Sequence, residues 1–321
     1  MKKILQYISL FFILLKGSTQ LYGQYDQLYA QLIKSVEFIN PAYNASKSNA
    51  GAIIFYRTPF IENDLIQSPN YSNEMFYSTM GVNAYYPFRY QHLGIGLNII
   101  KESIAHRDAM FVDFSTNVDV RISSTKYLAF GLSGGMNLIQ YNLNNALSSY
   151  TEGFSNDYNR QDPHIAFGGT LFGEHLNLGA SLHTVIFNKS KVNYNIQENE
   201  MYTMYLNGSY LLFAGQNFQL KPSAFYRQQF KNGSDLISFE YGAYFLVKDW
   251  FWLGASQRLT SSEKVMYSIS FDFKVATFIR LGYNFETSTA SVKSINSNIH
   301  EFRIQITAPY SLKDKYIAQN F

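Results

Sequence analysis

The strongest constraint in this chain is a two-residue alternation of apolar residues with small or polar ones, which recurs from about residue 51 onward. In the run 126–138 the larger apolar residues occupy even positions, namely Leu128, Phe130, Leu132, Met136 and Leu138. The odd positions between them are small or polar. Successive side chains of a β-strand point to opposite faces, so this period predicts strands with two chemically different sides. The chain is therefore expected to be an all-β protein.

About fourteen such runs follow one another, and their number is even. They start near residues 51, 77, 93, 109, 126, 164, 174, 201, 217, 235, 250, 264, 275 and 298. A tilted strand needs about 9–11 residues to cross a bilayer, and most runs are close to that length. The pattern predicts a transmembrane antiparallel β-barrel of about fourteen strands over residues 51–308.

The connections between the runs alternate in length, which favours a membrane barrel over a soluble β-sandwich. Long polar connections are expected at 59–76, 101–108, 139–163, 185–200, 228–234, 259–263 and 286–297. Short ones are expected at 87–92, 121–125, 173, 213–216, 247–249 and 274. Bacterial outer-membrane barrels have long extracellular loops and short periplasmic turns. An even strand count then places both ends of the barrel in the periplasm.

The two sides of the strands predict which residues face lipid and which face the lumen. The lipid band is expected to contain Val112, Phe114, Leu128, Phe130, Leu132, Leu178, Ile269 and Phe271. The polar side carries charges of both signs, at Asp113, Asp119, Lys221, Arg227, Glu240, Asp272, Arg280, Glu301 and Arg303. Aromatic residues near strand ends predict interfacial girdles: Tyr85, Tyr86, Tyr127, Tyr210, Tyr226, Tyr241, Tyr283, Trp250 and Trp252.

Residues 1–23 are predicted to be a secretory signal peptide. Lys2 and Lys3 precede an apolar run, Ile4 to Leu15, that is too short to span a bilayer as a helix. Without the three lysines of this segment, the rest of the chain carries 23 basic and 23 acidic residues. The absence of a basic surplus argues against a nucleic-acid partner. We expect an exported protein of the Gram-negative outer membrane.

Residues 24–50 lack the strand alternation and are predicted to form a short helical or plug segment. Leu28, Leu32, Ile33, Val36 and Ile39 have roughly helical spacing, and this stripe ends at Asn40-Pro41, where proline prevents helix continuation. The segment is either a periplasmic linker or a plug in the mouth of the lumen, and we favour the plug. Residues 309–321 are expected to be a periplasmic tail.

The N-terminal segment also carries a resemblance to a known family. The stretch from Gln24 to Gln31, which includes Gln27, and the later Asn40-Pro41-Ala42-Tyr43 resemble the start of PorP/SprF proteins, outer-membrane components of the type IX secretion system. This resemblance implies a role in export or surface attachment of secreted adhesins, and in gliding motility. It implies as partners the periplasmic ring lipoproteins and a secreted cargo protein. Asn-Pro-Ala also occurs in FadL-type transporters, so a FadL-like or porin-like transporter of small or hydrophobic substrates is the alternative.

Residues with catalytic or metal-binding potential are sparse, so we expect no enzyme, cofactor or metal site. Cysteine is absent, and none of the six histidines has a metal-ligand spacing. A barrel hydrolase using His183 is the remaining enzymatic alternative. Gly134-Gly135 and Gly168-Gly169 are expected to serve barrel curvature or close approach of the plug. Asn156, Asp157, Asn159 and Asp162 lie in the longest predicted loop and could bind calcium, but no closing bidentate Glu follows, so a solvated loop is favoured. The long-loop residues Tyr71, Tyr77, Tyr150, Phe154 and Tyr158 are either partner anchors or solvated surface.

Overall fold

The computed structural model of this chain contains a closed antiparallel barrel of fourteen strands, as the alternation predicts. It describes residues 36–47, 49–59, 77–88, 92–104, 107–141, 158–186, 200–213, 217–230, 235–248, 250–261, 265–288 and 298–308. The strands are β1 (Gly51–Pro59), β2 (Tyr77–Phe88), β3 (Leu93–Ile104), β4 (Arg107–Arg121), β5 (Lys126–Tyr141), β6 (Tyr158–Gly173), β7 (Leu176–Ile186), β8 (Glu200–Tyr210), β9 (Phe218–Phe230), β10 (Leu236–Val247), β11 (Phe251–Thr260), β12 (Val265–Ala276), β13 (Ile279–Ser288) and β14 (Ile299–Thr307). The predicted signal peptide and C-terminal tail lie outside the described residues.

Each strand pairs with its neighbours in sequence, and β1 pairs with β14 to close the barrel. The backbone N–H of Ala308 donates a 2.7 Å hydrogen bond to the carbonyl of Ala50, so the chain enters and leaves the barrel at one end. The connections β2–β3, β4–β5, β6–β7, β8–β9, β10–β11 and β12–β13 lie at that end, which we call the short-turn end. The opposite end, where β1–β2, β5–β6 and the other odd-to-even connections lie, is the long-loop end.

The two faces of the strands differ in exposure as predicted. On β5, Leu132 is 45% exposed and points outward, whereas the next residue, Ser133, is 6% exposed and points into the lumen. The predicted lipid band faces outward throughout, with Phe114, Phe130, Leu178 and Ile269 among its most exposed members. A wall that is apolar outside and polar inside is typical of a membrane barrel, because the lipid tails cover the outward apolar side chains and the lumen holds the polar ones.

The predicted luminal charges also face inward, and many are fully buried. Arg57 on β1 donates from Nη2 to Glu286 on β13 at 3.0 Å. Arg258 on β11 lies 3.3 Å from the same carboxylate and donates to Glu240 on β10 at 2.9 Å. These four side chains are at most 4% exposed. Because each of these charges lies beside an opposite one, the free-energy cost of burying them is offset. The ion pairs connect β10, β11, β13 and β1 near the long-loop end.

Three details of the sequence interpretation are wrong. Strand β6 begins at Tyr158 rather than His164, so Asn159 and Asp162 belong to a strand instead of a loop. The sequence pattern did not reveal this start, because Pro163 lies within the strand and proline usually interrupts a strand. The connection expected at 101–108 shrinks to two residues between β3 and β4. Strand β12 continues to Ala276 through a register shift near Lys274, so the predicted turn at 274 falls within a strand.

Part of the predicted aromatic girdle is wrong as well. Tyr85, Tyr127 and Trp252 are at most 8% exposed and face the lumen. Tyr85 and Tyr86 are adjacent, and adjacent strand residues point to opposite faces, so only Tyr86 is directed outward. Trp252 lies under the guanidinium of Arg280, 3.7 Å from its ring centroid, and Tyr127 stacks on Phe172. Tyr210, Tyr226, Tyr241, Tyr283 and Trp250 do point outward or lie at the rim.

None of the helices within the described residues is long and apolar enough to cross a membrane. The described part of the N-terminal segment contains two short 3-10 helices, Val36–Phe38 and Tyr43–Ser46. Val36 and Ile39 of the predicted apolar stripe are buried, while Leu28, Leu32 and Ile33 lie outside the described residues.

Candidate functional site in the barrel lumen

Residues 36–47 lie against the luminal side of the barrel wall, and we call them the luminal segment. Their described side chains are at most 8% exposed. Phe38 packs edge-on against Phe55 of β1, with ring centroids 5.2 Å apart. The first helix ends before Pro41, with the N–H of Asn40 donating to the carbonyl of Val36 at 2.8 Å. The proline stops the helix and turns the chain toward β4, β5 and β6.

Asn40 attaches the luminal segment to the barrel wall through several hydrogen bonds. Its Nδ2 donates to Oγ1 of Thr170 at 3.0 Å and to the carbonyl of Gly169 at 3.2 Å, both on β6. It also reaches the carbonyl of Ala180 on β7 at 3.4 Å. Its Oδ1 accepts from the backbone N–H of Ala42 at 3.0 Å. One amide therefore fixes the local turn and attaches it to two strands.

The neighbouring polar groups of the luminal segment are bonded to the wall in the same way. Asn117 on β4 donates to the carbonyl of Pro41 at 3.0 Å, and Ser181 on β7 donates to the carbonyl of Ile39 at 2.8 Å. Nε2 of His183 is hydrogen-bonded to the same Ile39 carbonyl. Nδ2 of Asn44 donates to Ser115 on β4 at 3.2 Å. Pairing backbone carbonyls that water does not reach removes the penalty of burying them.

Four luminal glycines make room for this segment. A Cβ on Gly168 would lie 2.1 Å from Oδ1 of Asn40, and one on Gly131 would lie 2.3 Å from the backbone N of Ala42. A Cβ on Gly179 would lie 2.9 Å from Nδ2 of Asn40, and one on Gly96 would lie 2.1 Å from Nδ2 of Asn44. These distances are too short for non-bonded atoms. We call Gly96, Gly131, Gly168 and Gly179, on β3, β5, β6 and β7, the glycine cradle.

A buried ion pair joins the luminal segment to the other side of the barrel. Arg303 on β14 donates from Nη2 to Oε1 of Glu37 at 2.8 Å, and both side chains are at most 8% exposed. Lys47 lies over the rings of Tyr43 and Tyr85, 4.8 Å and 5.7 Å from their centroids. Burial lowers the pKa of the Lys47 ammonium, while Glu37 acts in the opposite direction. The segment therefore brings one carboxylate and one ammonium into a lumen that already contains charges.

The structure brings together four of the six predicted family-motif residues, Asn40, Pro41, Ala42 and Tyr43, all buried. Gln27 and Gln31 lie outside the described residues. Sequence reasoning placed Arg303 on the luminal side but missed its partner Glu37. It also missed most of the cradle, since Gly96, Gly131 and Gly179 look like ordinary small residues on the luminal side of their strands. Gly168 was noted as a point of close approach, and Asn40 lies against it.

Several other polar residues of the sequence analysis have partners on the luminal side, whereas Asn159 is exposed on the outward side of β6. Nε2 of His164 is paired with Oδ1 of Asp113 across β6 and β4. Asp162 is fully buried in β6 and lies 2.6 Å from Nε of Arg160. Among the described residues, no group of three or more His, Cys, Asp or Glu side chains is arranged to hold a metal ion. Asn156, Asp157, Tyr71, Tyr150 and Phe154 lie outside the described part of the chain.

The closed fourteen-strand wall, with its apolar exterior and polar interior, defines an outer-membrane β-barrel. The chain belongs to the family described as type IX secretion system membrane protein PorP/SprF, which it matches over residues 21–306. This family relationship confirms the resemblance seen in the sequence and the outer-membrane location.

Two solved barrels are similar to this chain in fold. The toluene transporter TbuX of Ralstonia pickettii matches with a TM-score of 0.54 and 10% identity, covering 86% of this chain and 94% of that one. A protein described as the CymD monoaromatic hydrocarbon channel matches with a TM-score of 0.50 and 9% identity, covering 90% and 95%. At these identities the likeness concerns the fold alone. No curated protein matches the chain in sequence.

Proposed function

We propose that this barrel supports the export or surface attachment of secreted proteins in the type IX pathway by binding protein partners in and around the outer membrane. The observation that carries this proposal is the family match, which spans nearly the whole barrel. The luminal segment supports it, because a lumen that holds twelve residues of its own chain suits a docking component better than an open solute pore.

The expected partners differ between the two ends of the barrel. Periplasmic ring lipoproteins would meet the short-turn end, and a secreted cargo protein would meet the long-loop end. Short turns present little surface of their own, so a partner there is expected to contact rim residues such as Ser123 and Glu174. Ser261, at the end of β11, marks the opposite rim.

Photo-crosslinking in native outer membranes tests this assignment. A photoreactive amino acid replaces Ser123 or Glu174 at the short-turn end, Ser261 at the long-loop end, or Ile269 in the lipid-facing band as a control. The proposal expects secretion-system lipoproteins at the first two positions, a secreted surface protein at Ser261, and neither at Ile269. Recovery of no secretion component from either rim, together with normal export in a deletion strain, would overturn it.

The second candidate function is a transporter of small hydrophobic substrates, and a specific feature of the lumen favours it. Apolar and aromatic side chains cluster on the luminal side, including Phe55, Phe111, Phe225 and Tyr244. Such a surface has the chemistry to bind an aromatic hydrocarbon. Binding of toluene to the purified barrel in detergent distinguishes the candidates. Saturable binding that Phe225→Asn weakens favours the transporter, and no saturable binding favours the docking component.

A further inference from the structure

The outward surface of the barrel is divided into two unlike parts. The surface formed by β8 to β14 and β1 carries outward aromatic side chains on several strands toward each end of the barrel. Tyrosines are directed outward toward the long-loop end, namely Tyr56, Tyr202, Tyr226, Tyr241, Tyr267 and Tyr283. Large aromatic rings occupy the short-turn end, namely Phe218, Phe245, Trp250, Phe251 and Phe273. We call this surface the aromatic face.

Strands β3 to β7 lack both girdles. Among their described side chains, no outward residue is Tyr or Trp. The outward positions nearest the short-turn end are mostly aliphatic, whereas those nearest the long-loop end include polar residues such as Lys101, Asp108 and Gln140. Examples of the aliphatic residues are Val118 and Val120, both exposed. Interfacial aromatic residues mark where a barrel wall meets lipid headgroups. The described part of these five adjacent strands lacks this mark, and we call their outward surface the β3–β7 face.

The β3–β7 face carries large projecting side chains next to glycines that have no side chain. Three phenylalanines near the middle of their strands, Phe114, Phe130 and Phe167, are 54–59% exposed. Beside them lie the outward glycines Gly134 and Gly169, which pair directly with Phe114 and Phe130. Among the described glycines, these are the only two at which an added Cβ would have no neighbouring atom closer than 3.9 Å. Projecting rings and open glycine notches therefore occur on one patch.

We infer that the β3–β7 face binds a second copy of this chain within the outer membrane. A two-fold interface uses the same patch on both subunits, so it needs projections and notches, and both charge signs, on one surface. The rings and glycines provide the first requirement. Lys101 on β3 and Asp108 on β4, outward residues near the long-loop end, carry the two charge signs. Asp108 also accepts a 2.6 Å hydrogen bond from Ser103 of the same chain.

The size of the face sets an upper limit on the contact area. Five strands spaced about 4.8 Å apart and crossing about 30 Å of hydrocarbon present roughly 700 Å², and a second convex wall contacts only part of this area. A standard interface buries about 800 Å² on each partner. Within a bilayer, association depends on close packing around small residues, because lipid removes the hydrophobic driving force between proteins.

Cysteine crosslinking of the full chain in native outer membranes tests the inference, since the natural sequence contains no cysteine. Phe130→Cys and Phe167→Cys place single thiols on the β3–β7 face. Ile269→Cys and Ile304→Cys place matched thiols on the aromatic face, where they are similarly exposed. With a short bis-maleimide, we expect the first pair to give at least fivefold more homodimer than the second. Equal yields, no homodimer at either Phe position, or an adduct there with a different protein would overturn the inference.

A second variant separates the proposed packing from chance collision. Gly134→Leu fills a notch and is expected to lower the homodimer yield of Phe167→Cys severalfold. Ala243→Leu, an outward substitution on the aromatic face, should leave that yield unchanged. An unchanged yield in the Gly134→Leu variant, with the barrel folded as judged by its heat-modifiable migration, would contradict the inference.

Discussion

Arg303 of β14 donates a 2.8 Å hydrogen bond to Glu37, which precedes it by 266 residues. This ion pair links the luminal segment to one side of the lumen, while Asn40 links it to β6 and β7 on another. Contacts on separate strands hold a twelve-residue segment whose two helices are too short to be stable alone. The docked position of the segment is therefore expected to depend on a few luminal contacts, each of which a single substitution can remove.

Breaking the Arg303–Glu37 pair is expected to loosen the segment strongly. Glu37→Gln removes the carboxylate to which Arg303 donates, and loss of one partner of a buried pair costs roughly 3–5 kcal/mol. The reporter is Ser46→Cys, a nearly isosteric change at a position that is 0% exposed. Its maleimide labelling rate should rise sharply in Glu37→Gln. Adding Arg303→Gln should partly reverse that rise, and a simple sum of the two single effects would contradict the coupling.

Asn40→Ala removes three hydrogen bonds to the barrel and the bond to the Ala42 N–H. Because buried partners are left unpaired, docking of the segment is expected to weaken by about 1–3 kcal/mol. The same Ser46→Cys reporter should label roughly tenfold faster or more. Asn159→Ala, an exposed change on the outward side of β6, is the matched control. Similar labelling rates in the two variants would show that Asn40 does not hold the segment.

Adjacent glycines on β6 provide a sharp steric comparison. Gly168→Ala places a methyl group 2.1 Å from Oδ1 of Asn40, whereas Gly169→Ala meets no atom closer than 3.9 Å. We expect the first variant to expose Ser46→Cys while the barrel stays folded, and the second to behave like the wild type. Protection of the reporter in Gly168→Ala would mean that the segment does not lie against this strand.

The lipid-facing assignment is tested by charge at two depths on β5. Leu132→Arg places a cation near mid-strand and should destabilise the folded barrel by roughly 2–4 kcal/mol. Gln140→Arg has the same outward direction near the long-loop end and should cost about 0–1 kcal/mol. Unfolding by denaturant in lipid vesicles measures both values. Equal costs would place Leu132 outside the hydrocarbon region.

The barrel was predictable from sequence because its two sides differ at almost every pair of positions, as Leu132 and Ser133 illustrate. The start of β6 was less predictable because Pro163 interrupts the alternation. The end of β12 was less predictable because its pairing is irregular near Lys274. The Asn40-Pro41-Ala42-Tyr43 motif was visible, but its partners were not. Gly131, Gly179 and Arg303 become related to it only when distant strands close around the lumen, and nothing in their local sequence reveals that contact.

Ion conductance across planar lipid bilayers tests most directly the claim that this barrel works with its lumen occupied by its own N-terminal segment. Wild type and Gly169→Ala are expected to show little or no steady conductance. Gly168→Ala, with the segment displaced, is expected to conduct clearly more. A large, stable conductance of the wild type that Gly168→Ala leaves unchanged would contradict the account and favour an open transporter.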